Sequence, residues 1–297
     1  MLLSASHRQS IDLARFGAAF GVVVAHALVQ ENDWSGHLAL GLFLILTAFL
    51  AMQSFYRAGG KYDIVARAQK LVVPWLFWSA AFRVIDWKVS DAPGPFQLLS
   101  DPWSLLVGST VHLWFLPFIM LAMALVAPVG SWTTSPVRLR AALLALVVVS
   151  VPMLWAHKNL ALPVPIAQWL FALPVYILGL LVGVAHAKHQ IVWPICAAAV
   201  LSAVLLIVSG GKAWSGTPIF AVLLFEAFWR LPLRARFLPA IGQASFGIYL
   251  VHPFFMLLNY KMFGVDVNLI FAAVSTFVLS WMAVMVLRMF PLTRRVI

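Results

Sequence analysis

Four ionisable residues near the start of the chain, Arg8, Asp12, Arg15 and His26, stand in an otherwise apolar stretch. Inside a bilayer each such side chain costs roughly 2.5–3.5 kcal/mol on insertion scales, so a deep one marks a candidate site. At about 100° per residue, the steps from Arg15 to His26 end about 20° from a whole number of turns, with Arg8 about 20° and Asp12 about 60° from Arg15. All four therefore share one helix face along a rise of roughly 27 Å. Gly17 and Gly21 fall on the opposite face, a small-xxx-small pair suited to close packing. Imidazole exchanges a proton near neutral pH more readily than other side chains, so His26 reads as a general base. Asp12 and Arg15 also fit an i,i+3 ion pair anchoring the helix near the interface, and His26 a hydrogen-bonded interhelical histidine.

Two later constellations carry comparable chemistry. His112-Leu-Trp114-Phe-Leu-Pro117 opens a span at its outer end, which places His112 at a depth like that of His26. Trp114 there equally suits an interfacial aromatic belt. Ser245, Tyr249 and His252 recur at i, i+4 and i+7 and share a face, and Pro253 frees the Tyr249 carbonyl for a polar partner. The alternative is a polar seam holding helices together. Glu226 is intramembrane near the inner side, within reach of a basic partner. His186 and His189 have metal-like spacing but lack a third ligand, and read as solvated loop residues, so no metal site is expected. The main basic cluster runs from Arg57 to Lys70, with Arg67 and Lys70 one turn apart at the mouth of a span. It is either a topology determinant drawn to anionic lipid or a clamp for a phosphorylated cytoplasmic ligand.

The elements that must position these residues follow from composition. Apolar residues make up 63% and charged residues 10% of the 297, with a mean hydropathy of +0.98. Soluble proteins run at roughly 45–50% and about 25%, so a soluble enzyme, a disordered chain and a disulfide scaffold are excluded. The basic excess of 20 over 9 lies in short clusters between apolar runs, which argues for a membrane and against nucleic acid as the partner. The single Cys196 excludes an intrachain disulfide. The pattern predicts an all-α, polytopic bundle of about ten transmembrane helices, near 11–30, 38–56, 71–87, 111–129, 139–156, 165–185, 191–209, 217–231, 244–260 and 268–290. The third and eighth of these are short. With the N-terminus inside, 14 basic loop residues fall on the inner side and five on the outer, so both termini are expected in the cytoplasm. Residues 1–297 are expected to form one membrane domain with no appended soluble domain. The outer segment 88–110 is the longest connection and suits either a lid or a plain link.

The chain resembles the acyltransferase-3 family of bacterial membrane acyltransferases, which O-acylate envelope and exported carbohydrates. The resemblance rests on Arg8-x3-Asp12-x2-Arg15 with His26 beyond it, on His112-x-Trp114-x-Leu116, and on Ser245-x-Gly247-x-Tyr249-Leu250-x-His252-Pro253. It implies a ten-helix domain of the bacterial inner membrane that takes an acyl group, by default acetyl, from cytoplasmic acyl-CoA to an acceptor hydroxyl at the far face. On this expectation His26, Arg15 and Asp12 are catalytic, and Arg8, Arg67 and Lys70 hold the acetyl-CoA donor. His112, Trp114, Ser245, Tyr249 and His252 then meet a carbohydrate or glycolipid acceptor. The family's Arg-x2-Arg entering the third span reads Arg67-x2-Lys70 here, which keeps the charge but not the bidentate fork. Some members carry an extracytoplasmic esterase-like domain, and here either the membrane domain itself or a separate extracytoplasmic partner protein is expected to finish the transfer. A reading from another class is an exporter or flippase for a polysaccharide or its lipid-linked precursor. Matched broken helices in two halves would mark such a transporter, and here only the span around Pro253 is interrupted in that way.

Overall fold

The computed structural model describes residues 8–27, 34–89, 104, 107, 111–264 and 267–297. Among these, ten helices follow one another: α1 (Gln9–Ala27), α2 (Trp34–Arg57), α3 (Ile64–Val89), α4 (His112–Trp132), α5 (Pro136–Asn159), α6 (Ile166–Lys188), α7 (Val192–Ser209), α8 (Thr217–Arg230), α9 (Leu238–Phe263) and α10 (Leu269–Leu287). Eight are long and apolar enough to cross a membrane; α3 and α8 are the other two. The protein is an all-helical, polytopic membrane protein, as its hydropathy pattern requires.

The short third span of the sequence reading is corrected to a helix of 26 residues. Apolar-run counting stops at Arg67 and Lys70, but a helix continues until something breaks it. Here it starts only where the Asp63 carboxylate accepts the Ala66 N–H at 2.9 Å. Only Pro74 and Phe82 of α3 are buried, and it leans on α4 and on the C-terminal turn Thr293–Arg295. The indole N–H of Trp78 donates to the Val296 carbonyl at 2.7 Å, pinning the chain's last residues to α3. Helix α8 has 14 residues, about 21 Å at 1.5 Å per residue, less than a hydrocarbon core of about 30 Å.

At the centre α2 packs along α6, and small residues make the approach possible. A Cβ on Gly179 would lie 2.8 Å from the Ile45 Cα, and one on Gly183 2.8 Å from the Met52 Cβ. Helix α1 is held between α9, α2 and α10. Of the Gly17/Gly21 pair, only Gly21 meets a neighbour, Ala39 of α2, whereas Gly17 has no atom within 4 Å of a would-be Cβ. The shared small face is corrected to one contact point.

One end of the bundle collects the beginnings of α1 and α9 with the ends of α8 and α10. Gln9 accepts from the Ala235 N–H at 2.7 Å, and Arg288 donates to Gln243. Lys188, at the end of α6, donates to the Thr134 carbonyl after α4 at 2.6 Å. This is the basic end of the molecule. The outer segment 88–110 lies outside the described residues apart from residues 88, 89, 104 and 107.

Candidate functional site

A cavity of about 700 Å³ opens at the basic end between α2, α3 and α4. Arg57, Tyr62, Asp63, Arg67 and Lys70 line its mouth, and Arg15 of α1 reaches it from the side. Arg67 is set by two neighbours: its guanidinium donates to the Ser54 hydroxyl at 2.5 Å and lies 4.6 Å over the Tyr62 ring. Burial pushes the Tyr62 phenol up, with the Arg67 charge partly offsetting it, so this hydroxyl stays protonated and available as a donor at neutral pH. Deeper in, the walls turn apolar with Leu46, Leu50, Leu116, Ile119 and Met123, and the head of the cavity meets Phe43 and Phe115. A charged mouth above an apolar shaft suits a ligand with an anionic head and a thin, weakly polar arm.

Beyond the head of the cavity, three histidines from three helices meet. His26 sits in the last turn of α1, His112 opens α4, and His252 lies inside α9. Ring centroids are 5.2 Å apart for His26 and His252 and 5.3 Å for His112 and His252. Pro253 has no N–H and cannot continue the helical ladder at Tyr249. The Tyr249 carbonyl instead accepts from His252 Nδ1 at 2.7 Å. A carbonyl only accepts, so Nδ1 carries the hydrogen and the neutral ring presents Nε2 as a lone pair. The His112 ring is held in turn by the Leu250 backbone, and its own backbone carbonyl accepts the Tyr249 hydroxyl. The Nε2 atoms of His112 and His252 are buried and have no hydrogen-bond partner among the described residues. Buried acceptors of this kind are costly to leave unmet, which makes them places for a donor hydroxyl.

Phe43, Phe115 and Tyr249 separate the cavity from the histidines. Their centroids are 5.6 Å apart for Phe43 and Phe115, 6.1 Å for Phe43 and Tyr249, and 5.6 Å for Phe115 and Tyr249. Tyr249 then touches the His112 ring at 5.5 Å. Phe43 and Phe115 escape sequence reading, because an aromatic residue in an apolar run looks like core. Ser54 and Tyr62 escape it as well, although Tyr62 lies inside the basic cluster.

Other singled-out residues are placed apart from the histidines. Asp12 is buried in the α1–α9 interface, where a Cβ on Gly242 would collide with its side chain, and its charge acts on Arg15. Arg8 precedes α1 and turns away from the cavity, donating to the Trp229 carbonyl at 2.5 Å with its guanidinium 4.2 Å over that indole. The Trp114 ring packs on Phe115 and Phe118, and its carbonyl accepts from the Trp169 indole at 3.4 Å. Ser245 is fully buried and bonds back to the Ile241 carbonyl at 3.3 Å. The solvated-loop reading of His186 is corrected: α6 runs on to Lys188, and His186 Nε2 meets Glu226 Oε1 at 2.6 Å. Arg230 faces the other Glu226 oxygen at 3.4 Å, one helical turn on. A buried carboxylate on α8 needs such partners. His189 is the left-handed cap that ends α6. Among the described residues no group of three or more His, Cys, Asp or Glu side chains is placed to hold a metal ion.

The arrangement is that of a multi-pass helical membrane protein with a cation-lined cavity reaching toward a cluster of three histidines. A family model described as an acyltransferase domain, acyltransferase-3, matches residues 8–285, nearly the whole chain. The chain therefore belongs to the acyltransferase-3 family and is a membrane acyltransferase. Comparison with curated proteins and with solved structures finds no significant match.

Proposed function

We propose that this acyltransferase takes an acyl group, acetyl by family resemblance, from cytoplasmic acyl-CoA. It passes the group to a hydroxyl of an envelope or exported carbohydrate at the opposite face of the bacterial inner membrane. The observation that carries the reading is the cavity joining Arg57, Arg67 and Lys70 at the basic end to the aromatic layer beneath His26, His112 and His252. The excess of basic loop residues at that end supports a cytoplasmic position for it and for both termini. CoA phosphates match the arginine and lysine mouth, since charge-assisted bonds to phosphate are the strong ones. The pantetheine arm and thioester match the apolar shaft, with Arg15 beside it.

In this mechanism the acceptor hydroxyl arrives from the outer side and donates to His26, which takes its proton. The resulting alkoxide oxygen attacks the thioester carbonyl, the new C–O bond forms as the C–S bond breaks, and the proton on His26 neutralises the departing CoA thiolate. His252 and His112 present Nε2 acceptors that hold the acceptor's other hydroxyls. Asp12 acts through Arg15, and Arg8, turned to Trp229, holds the end of α8 beside the donor's mouth. A separate extracytoplasmic protein would receive or deliver the carbohydrate, or its glycolipid precursor, at the far face.

The test is calorimetric titration of the purified, folded protein with CoA and acetyl-CoA. Saturable binding that weakens about tenfold or more in Arg67→Ala, the loss of about 1.4 kcal/mol from one charged contact, is the expected outcome. Absence of binding by folded wild-type protein overturns the donor assignment.

A further inference from the structure

Among the described residues, the lining of the cavity stops short of the histidines. Phe43 and Phe115 belong to the cavity lining; the histidines and Tyr249 do not. The three rings of the layer come from α2, α4 and α9, and each is less than a tenth exposed. None is free to swing away alone. Phe115 is backed by Trp114 at 5.9 Å and Phe118 at 6.5 Å, and the Tyr249 hydroxyl is tied to the His112 carbonyl. Phe43 sits on α2, which packs along α6 at the centre of the bundle, with Leu44, Ile45 and Leu46 beside it fully buried.

Among the described residues, these rings stand between a donor held by its phosphates at the basic mouth and the histidines. Close-packed interiors yield to a small group by slight ring rotation but resist each added methylene. We propose that Phe43, Phe115 and Tyr249 form an acyl-size filter: the layer lets a short acyl thioester through to His26 and holds back longer chains in the apolar shaft below. Donor selection is thereby made at the passage between the two half-sites, and the phosphate-binding mouth, common to all acyl-CoAs, contributes nothing to it. This inference rests on the proposed acyl-CoA donor and adds to it the residues that choose the acyl group.

The experiment uses inverted membrane vesicles of the native cell, in which the acceptor is resident, with radiolabelled acetyl-, butyryl- and hexanoyl-CoA. Vesicles lacking the protein serve as the blank. Discrimination of about 10–200-fold per methylene is the ordinary reach of a hydrophobic pocket. Wild type is expected to incorporate acetyl at least about 100-fold better than hexanoyl, and Phe43→Ala and Phe115→Ala to raise the hexanoyl-to-acetyl ratio by about tenfold or more. Phe115→Leu keeps most of the packed volume and is expected to shift the ratio in the same direction by less. It is measured beside the alanine variants, with melting temperatures, so that loss of folding in one variant does not decide the result. Equal use of acetyl and hexanoyl by wild type, or an unchanged ratio in the folded variants, overturns the filter. Absence of label above the blank from every donor, with wild-type protein present and folded, overturns the acyl-CoA reading instead.

Discussion

At the scale of single residues, the bond from His252 Nδ1 to the Tyr249 carbonyl joins backbone chemistry to the proposed acceptor site. It exists because Pro253 withholds an N–H, and it leaves Nε2 as the free lone pair beside His26. Pro253→Ala supplies the missing donor, so the helix closes its ladder and competes for the Tyr249 carbonyl. An interior proline costs about 3 kcal/mol against alanine, and the histidine bond is worth about 1 kcal/mol, so the variant should melt no lower than wild type. Its transfer rate should nonetheless fall about tenfold, the effect of about 1.4 kcal/mol of lost orientation. Thermal unfolding and label incorporation, measured together, check the two halves of this expectation. His26→Ala should lower transfer by about 10²–10⁴-fold while leaving the CoA titration unchanged, since His26 is not in the cavity wall. Near-normal transfer in that variant would remove His26 from the role of base.

At the scale of elements, the position of α1 decides where Arg15 and His26 lie, and Asp12 against Gly242 is its closest fit to α9. Gly242→Ala places a methyl group into the Asp12 carboxylate and must push the two helices apart. Overpacking of this kind costs about 1–3 kcal/mol, with a matching drop in melting temperature in detergent and weaker transfer. Gly17→Ala on the same helix is the contrasting case. Nothing lies within 4 Å of the new methyl, so the change should be neutral or stabilise by up to about 1 kcal/mol through helix propensity alone. Both glycines look alike in an apolar run. What separates them is whether another helix comes close.

At the scale of the whole molecule, hydrogen bonds such as Gln9 to Ala235 and Lys188 to Thr134 place the beginnings of α1 and α9 and the ends of α6, α8 and α10 in one basic end. The positive-inside rule turns that asymmetry into a prediction about the cell. In a Cys196→Ser background, Lys61→Cys and Arg236→Cys should react with a membrane-impermeant maleimide only after the membrane is opened. Lys212→Cys should react in intact spheroplasts. The reverse pattern would invert the topology and put the basic mouth on the wrong side for the proposed acyl-CoA donor.

Much of this architecture is legible in the sequence, because hydropathy and helical period are local properties. About ten apolar runs, eight of them helices long and apolar enough to cross a membrane, the basic loops between them and the polar positions within them follow from what a bilayer tolerates, before any helix touches another. The same local logic places His26 and His112 at similar depth and leaves the Tyr249 carbonyl in need of a partner. It misjudges α3, whose charges hide a helix of 26 residues, and His186, which lies on a helix and not in a loop. The meeting of His26, His112 and His252 depends on helix rotations and on approach distances set by residues such as Gly179, Gly21 and Gly242. So do the ring layer above the cavity, the turn of Arg8 toward Trp229 and the burial of Asp12 on α9. Those are relations between segments separated by up to hundreds of residues, and a periodic pattern within one segment contains no term for them. Chemistry was written along the chain; the tertiary packing alone decided which of its groups stand together.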